Sequence, residues 1–223
     1  MNIITFCNDL NIFIDRPIHI GPAHDDFIRS YMKYGRETRN DHVRHGRSLM
    51  QVERDIIFGK LIELVFHLLA PNLFSLPSLE KNKVHDLGWD ILSKKLFIGR
   101  RINQKEFSSY KFDVKGIIEG RSEIRMPSSG GCKDETGDTV WYVFFKYHMS
   151  PNPVAFGEHN VSDWYGTAKM FAFAHEHEIY GSAEHGCLMQ SKILDSGEKK
   201  WFVSVEDMIN QTKIKLNYGK ENV

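Results

Sequence analysis

Between Thr139 and His148 the chain reads TVWYVFFKYH, a run of β-branched and aromatic residues with almost no polar interruption. Such residues fit a pleated strand, and a strand with one wet face would alternate apolar with polar. This one does not alternate. It therefore reads as a central strand with both faces covered, and a chain that carries one must build layers on either side of a sheet.

A helix before that strand is the natural cover. Ser48 with Gln51 three residues on forms a capping box, and Leu49, Val52, Ile56, Ile57, Leu61, Leu64, Val65, Leu68 and Leu69 supply the apolar positions up to a stop at Pro71. Its second half, LIELVFHLLA, is apolar nearly all round, the mark of a buried helix. Glu63 sits inside that run. A buried carboxylate must find a lysine, a hydrogen-bond donor or a metal, or else take up a proton. A structural salt bridge, a solvent-facing position and a role in a site all remain open for it.

Two further segments read as strands between Val84 and Gly116, HDLGWDI and YKFDVKG. Positions i and i+2 of a strand share a face, so Asp113 and Lys115 point the same way while Phe112 and Val114 point into the opposite layer. Asp90, between Trp89 and Ile91, joins Asp113 on one edge if the two strands pair. Hard carboxylate oxygens beside an ammonium suit a divalent metal and an activated water.

This arrangement resembles the PD-(D/E)XK nuclease superfamily, the fold of many type II restriction enzymes, over roughly Ser48 to Tyr147. Matched residue by residue, the resemblance makes Asp90 the first acid, Asp113 the second, Lys115 the lysine and Glu63 the helix glutamate. Asp90, Asp113 and Glu63 would hold magnesium, with manganese able to replace it. It implies an α/β (α+β) fold, a central mixed β-sheet flanked by helices, restriction-endonuclease-like. The implied activity is divalent-metal-dependent hydrolysis of DNA phosphodiester bonds, sequence-specific, on double-stranded DNA, by a homodimer whose two-fold axis matches a palindromic target. No proline precedes Asp90, and the insertion KKLFIGRRINQKEFSS is long, so Asp86 stays open as the first acid.

With 223 residues the chain suits one domain: an N-terminal arm (1–47), a catalytic core (48–147) and a C-terminal lobe of helix and hairpin (148–223). Lys plus Arg and Asp plus Glu number 29 each, which argues against a coating protein and leaves nucleic-acid contact to local basic patches. Lys94, Lys95, Arg100 and Arg101, with Lys105, surround Leu96-Phe97-Ile98 beside the acids, where a phosphodiester would lie. Arg121 and Arg125, with Lys133, sit in the turn-forming run 119–138 and are candidates for reading bases. The arginine-rich stretch 25–54 is either a solvated connection or an arm on the DNA backbone.

Elsewhere the expectations are a short strand within 2–14 with a turn at Arg16-Pro17, and a helix over SDWYGTAKMFAFAHEHEIYG. A hairpin of CLMQSKILD and KKWFVSV follows, then a terminal helix opening at Ser204. Trp141, Trp164 and Trp201 are expected in the core. Cys7, Cys132 and Cys187 read as free thiols of a reduced compartment. The N-terminus lacks the basic region of a signal peptide and no apolar run is long enough to span a bilayer, so the expectation is a soluble, cytoplasmic protein with no membrane partner.

Two rival readings belong to other classes. The first is a non-catalytic nucleic-acid- or protein-binding module in which Asp113 and Lys115 are an ordinary strand pair. The second is a zinc hydrolase using His175, His177 and His185, although His at i and i+2 do not share a helix face as the zinc protease motif requires.

Overall fold

The structure is a computed structural model and describes residues 10–42, 47–79, 90–93, 111–126, 140–149, 160–181, 188–194, 197 and 199–221. In chain order these form β1 (Pro17–Ile20), α1 (Asp25–Thr38), α2 (Leu49–Leu69), β2 (Ile91–Leu92) and β3 (Lys111–Ile118). Then come β4 (Glu123–Met126), β5 (Val140–Met149), β6 (Gly166–His175), α3 (Glu176–Tyr180), β7 (Met189–Ile193), β8 (Lys199–Ser204) and α4 (Val205–Glu221).

The described strands make two sheets. One has five strands in the order β1-β6-β5-β3-β2, with β3 parallel to β5 and its other pairings antiparallel. The other has three antiparallel strands in the order β4-β8-β7. The fold class is thus mixed α/β, helices with a mixed sheet and a second antiparallel one. Strands from the stretches 1–47, 48–147 and 148–223 all enter the larger sheet.

β5 lies at its centre, as its composition requires. Trp141, Val143, Phe145 and Tyr147 face one apolar cluster, shared with α2, while Val140, Tyr142 and Phe144 face a second, shared with α4 and the small sheet. Both faces are covered, so no position on β5 gains from being polar until Lys146. The helix α2 begins where the sequence indicates, with the Ser48 hydroxyl accepting from the Gln51 amide at 3.2 Å. It runs antiparallel to β3: Phe66 meets Phe112 edge-on at 5.0 Å, and Gly116 lies against Ile62 and Phe58. A Cβ at Gly116 would stand 2.4 Å from Ile62 Cγ1, so only glycine lets helix and strand come this close.

Several expectations are corrected. The segment from Ser162 is not one helix: Gly166–His175 is strand β6, and only Glu176–Tyr180 turns helical after it. Ala, Lys and Met favour helix weakly, whereas Ala168, Met170, Ala172, Phe173 and Ala174 are all fully buried beside β5, and burial decides. Near the N-terminus β1 begins at Pro17 and pairs with β6, while residues 2–9 of the stretch expected to hold a strand lie outside the described residues.

Over Asp25–Thr38 the arginine-rich stretch is not a loose connection. It forms α1, which buries Ile28, Tyr31, Met32 and Tyr34 and turns its cations outward. There Arg36 and Arg39 share Glu53 at 3.4 and 2.6 Å. The run 119–138 is not all loop, because Glu123–Met126 is strand β4 and pairs with β8. The expected hairpin of β7 and β8 and the terminal helix are present, and Trp141 and Trp164 are buried. No helix among the described residues is long and apolar enough to cross a membrane.

Candidate active site

The site begins with the register of one strand pair. β2 and β3 are antiparallel with Ile91 opposite Phe112 and Leu92 opposite Lys111, so the next position outward sets Asp90 against Asp113. Asp90 holds the backbone on both sides of Asp113: its amide donates to the Phe112 carbonyl at 2.7 Å, and its Oδ2 accepts from the Val114 amide at 2.8 Å. On its far side β2 is fixed by Ser75, whose amide donates to the Leu92 carbonyl at 2.9 Å. Asp90 is thus held by one backbone hydrogen bond of the strand pair and one through its own carboxylate.

Asp113 is 6 % exposed. Its Oδ1 lies 2.5 Å from the Lys115 ammonium, and its carboxyl also hydrogen-bonds the Asp90 side chain. A carboxyl pair sharing a hydrogen bond holds a proton between them. Burial pushes the Asp113 carboxyl up to about 7; Lys115 opposes the shift and the Asp90 charge adds to it.

Glu63 reaches the same place from the helix. It is 5 % exposed, and burial followed by the Asp90 charge pushes its carboxyl up to about 8, with Asp113 adding to the rise and Lys60 opposing it. The Lys60 ammonium bonds both oxygens of Glu63, at 2.9 and 2.8 Å. Asp90 also acts on Lys60, so the cluster comprises the acids Glu63, Asp90 and Asp113 and the ammonium groups Lys60 and Lys115. Tyr31 of α1 backs it, its hydroxyl raised by burial and by Glu63.

The structure therefore brings together Asp90, Asp113, Lys115 and Glu63. For Glu63 it unites two alternatives, since the residue is salt-bridged and also within electrostatic reach of both other acids. Lys60 was not singled out by sequence, although its position one helical turn before Glu63 marks an i,i+3 pair. Among the described residues no group of three or more His, Cys, Asp or Glu side chains stands in a metal-holding arrangement. The hydrogen bonds give a reason: oxygens of Glu63 and Asp113 are engaged by Lys60 and Lys115.

No family model, curated protein or solved structure matches the chain.

The remaining candidates lie elsewhere. Lys94, Lys95, Arg100 and Arg101, with Asp86, Lys105, Lys133, His185 and all three cysteines, fall outside the described residues. Arg121 is exposed just beyond β3, and Arg125 is exposed on β4. Both act on Asp55 near the start of α2, where Arg47 and Arg54 do the same. In the rival histidine cluster, His175 caps α3, its Nδ1 accepting from the His177 amide at 3.3 Å, and burial lowers its pKa. An open cleft of about 670 Å³ is lined in part by Lys146, Lys169 and Lys213 and takes no side chain from the acidic cluster.

Proposed function

We propose that the chain is a divalent-metal-dependent endonuclease that hydrolyses DNA phosphodiester bonds, of the sequence-specific restriction type. One observation carries the reading: the pairing of β2 with β3 sets Asp90 against Asp113 with Lys115 on the same strand, and α2 delivers Glu63 to the same charges. An antiparallel β2–β3 pair backed by a long helix, within a mixed sheet, also supports a restriction-endonuclease-like fold.

The donor set fits magnesium or manganese. Carboxylates are hard oxygen ligands, and here the Asp90 charge raises the pKa of both Asp113 and Glu63, a repulsion that a divalent cation relieves. Asp90, Asp113 and Glu63 would hold the ion, which supplies Lewis-acid polarisation of a phosphoryl oxygen and a lowered pKa for water. Lys115, 26 % exposed at its side chain, is the more accessible of the two lysines, against 18 % for Lys60. It donates to the attacking water or to a phosphate oxygen, which favours charge developing on the phosphate. Lys60 orients Glu63 and favours its charged form. Water adds to phosphorus, the bridging P–O bond breaks, and the proton passes to the leaving oxygen. Cutting both strands of a palindrome calls for a two-fold dimer of the chain.

The test is supercoiled plasmid incubated with the protein in magnesium and in EDTA, and with Asp113→Asn and Lys115→Ala. Nicking in magnesium should be lost in EDTA and fall at least about a hundred-fold in either variant. Cutting that survives EDTA and both substitutions would sink the proposal. Salt-sensitive binding with no metal-dependent cutting would instead favour a non-catalytic nucleic-acid module.

A further inference from the structure

The antiparallel packing of α2 on β3 has an effect at its other end. Phe66 lies on Phe112 and Ile62 with Phe58 on Gly116, so the chain leaving β3 through Arg121 runs beside the first turns of α2. Asp55 is there, its carboxylate 2.9 Å from Arg47. Arg54 precedes it, and β4 brings Arg125. Four guanidinium groups, those of Arg47, Arg54, Arg121 and Arg125, act on this one acid, each favouring its charged form against burial. Arg121 and Arg125 are exposed, and Asp55 is 51 % exposed at its side chain, so the cluster faces solvent with a surplus of positive charge.

We propose that this cluster is a binding surface for the phosphodiester backbone of duplex DNA, in which Asp55 occupies the place of a phosphate until DNA displaces it. The reading rests on the proposed nuclease function, because the surface would hold the substrate of that site. Asp55 lies eight residues from Glu63 on one helix, about 12 Å along its axis, which spans roughly three to four nucleotides of one strand. Guanidinium groups suit phosphate because their planar fork donates two parallel hydrogen bonds to it. Asp55 holds Arg47 ready and lowers the net charge, so it restrains binding as well as ordering the surface. Under this proposal Arg121 and Arg125, offered by the sequence as readers of bases, contact phosphate through charge, since both act on the same acid.

The experiment is fluorescence anisotropy of a labelled random-sequence duplex in EDTA, titrated at several salt concentrations, with Arg54→Ala/Arg121→Ala and Asp55→Asn beside the unchanged chain. The double variant should bind at least about ten-fold more weakly and lose about two from the slope of log affinity against log salt. Asp55→Asn should bind about three- to ten-fold more tightly, a gain that misfolding does not produce. Affinity and slope unchanged in the double variant, or weaker binding by Asp55→Asn, would overturn the inference. So would displacement of the duplex by polyglutamate as effectively as by unlabelled duplex at equal charge. Because no cleavage is read, the two proposals fail separately: magnesium-dependent cutting with unaltered binding in the variants defeats the surface alone. Altered binding with no cutting defeats the nuclease alone.

Discussion

The acidic cluster should make the protein less stable as pH rises, and Asp113→Asn should remove much of that cost. An aspartate in the unfolded chain loses its proton near the ordinary value of 3.8, whereas in the fold Asp113 keeps it up to about 7. Between those values the folded state binds more protons than the unfolded one, so raising the pH works against folding. The gap is about three units at about 1.4 kcal/mol each, roughly 4 kcal/mol as an upper limit once Asp113 is fully charged. Local relaxation around a buried pair leaves about half of this, about 2 kcal/mol. Asparagine keeps the shape and has no proton to lose. Lys115 forfeits its partner, but its ammonium is partly exposed and turns to water. For a chain of this size the variant should melt roughly 4–8 °C above the parent at about pH 8. The difference should vanish near about pH 3, below the ordinary value of 3.8, where both states of the parent are protonated. Thermal unfolding followed by circular dichroism across this pH range in EDTA gives the answer. A melting difference that is the same at both ends of the range, or a variant no more stable at the alkaline end, would refute the reasoning.

Other perturbations follow from the same geometry. Lys60→Met removes the ammonium that bonds both oxygens of Glu63, so Glu63 stays protonated to higher pH. Glu63 holds its proton up to about 8 even beside Lys60, so urea unfolding should show little pH-dependent loss up to about pH 8 and a loss of about 1 kcal/mol by about pH 9 that grows with each further unit. Gly116→Ala forces a methyl to within 2.4 Å of Ile62 Cγ1. It should cost about 1–3 kcal/mol in urea unfolding and reduce plasmid nicking further than the stability loss explains, because it moves α2 and Glu63 off β3. Thr212→Val removes a buried hydroxyl that donates to the Phe173 carbonyl at 3.3 Å and accepts from its amide at 3.2 Å. Leaving the Phe173 amide of β6 unpaired, with Lys215 still donating to its carbonyl at 3.2 Å, should lower stability by about 1–3 kcal/mol without changing nicking at a temperature well below the transition.

Where local sequence and tertiary environment demand the same thing, the fold was legible. α2 has a cap at Ser48, an unbroken apolar run and a stop at Pro71, and its observed span of Leu49–Leu69 follows from them. β5 was legible because a strand with no polar alternation has only a central position open to it. β6 was not, since its Ala, Lys and Met residues carry no strand preference and its extended form is imposed by β5 and β1 on either side. In the stretch after Asp25, counting arginines hid the spacing of Ile28, Tyr31, Met32 and Tyr34, which is that of one helical face. For the site, the Asp113/Lys115 pair follows from strand geometry alone. The opposition of Asp90 to Asp113 needs the register, which no property of either segment specifies. Lys60 and the arginine cluster depend on how α2 lies against β3, and that direction is set by packing at Phe66, Ile62 and Gly116.

That packing also explains how the acids can be buried together. Ordinarily a strand ladder satisfies its amides with carbonyls, and a carboxylate pressed into it would be costly. Here Asp90 takes a carbonyl's part, accepting from the Val114 amide with its side chain while its own amide bonds Phe112. The ladder therefore carries one member of the acidic pair as a structural acceptor, and that acceptor is still charged enough to raise both Asp113 and Glu63. An apolar residue at position 90 would leave the Val114 amide unpaired, whereas asparagine would serve it and lack the charge. Loss of the amide's partner and loss of the charge are thus separable at one atom, Oδ2 of Asp90. A group whose structural duty an amide could perform equally well, and whose charge strains its neighbours, is retained at a cost to the fold. Under the proposed nuclease function, chemistry that needs the charge would account for that cost.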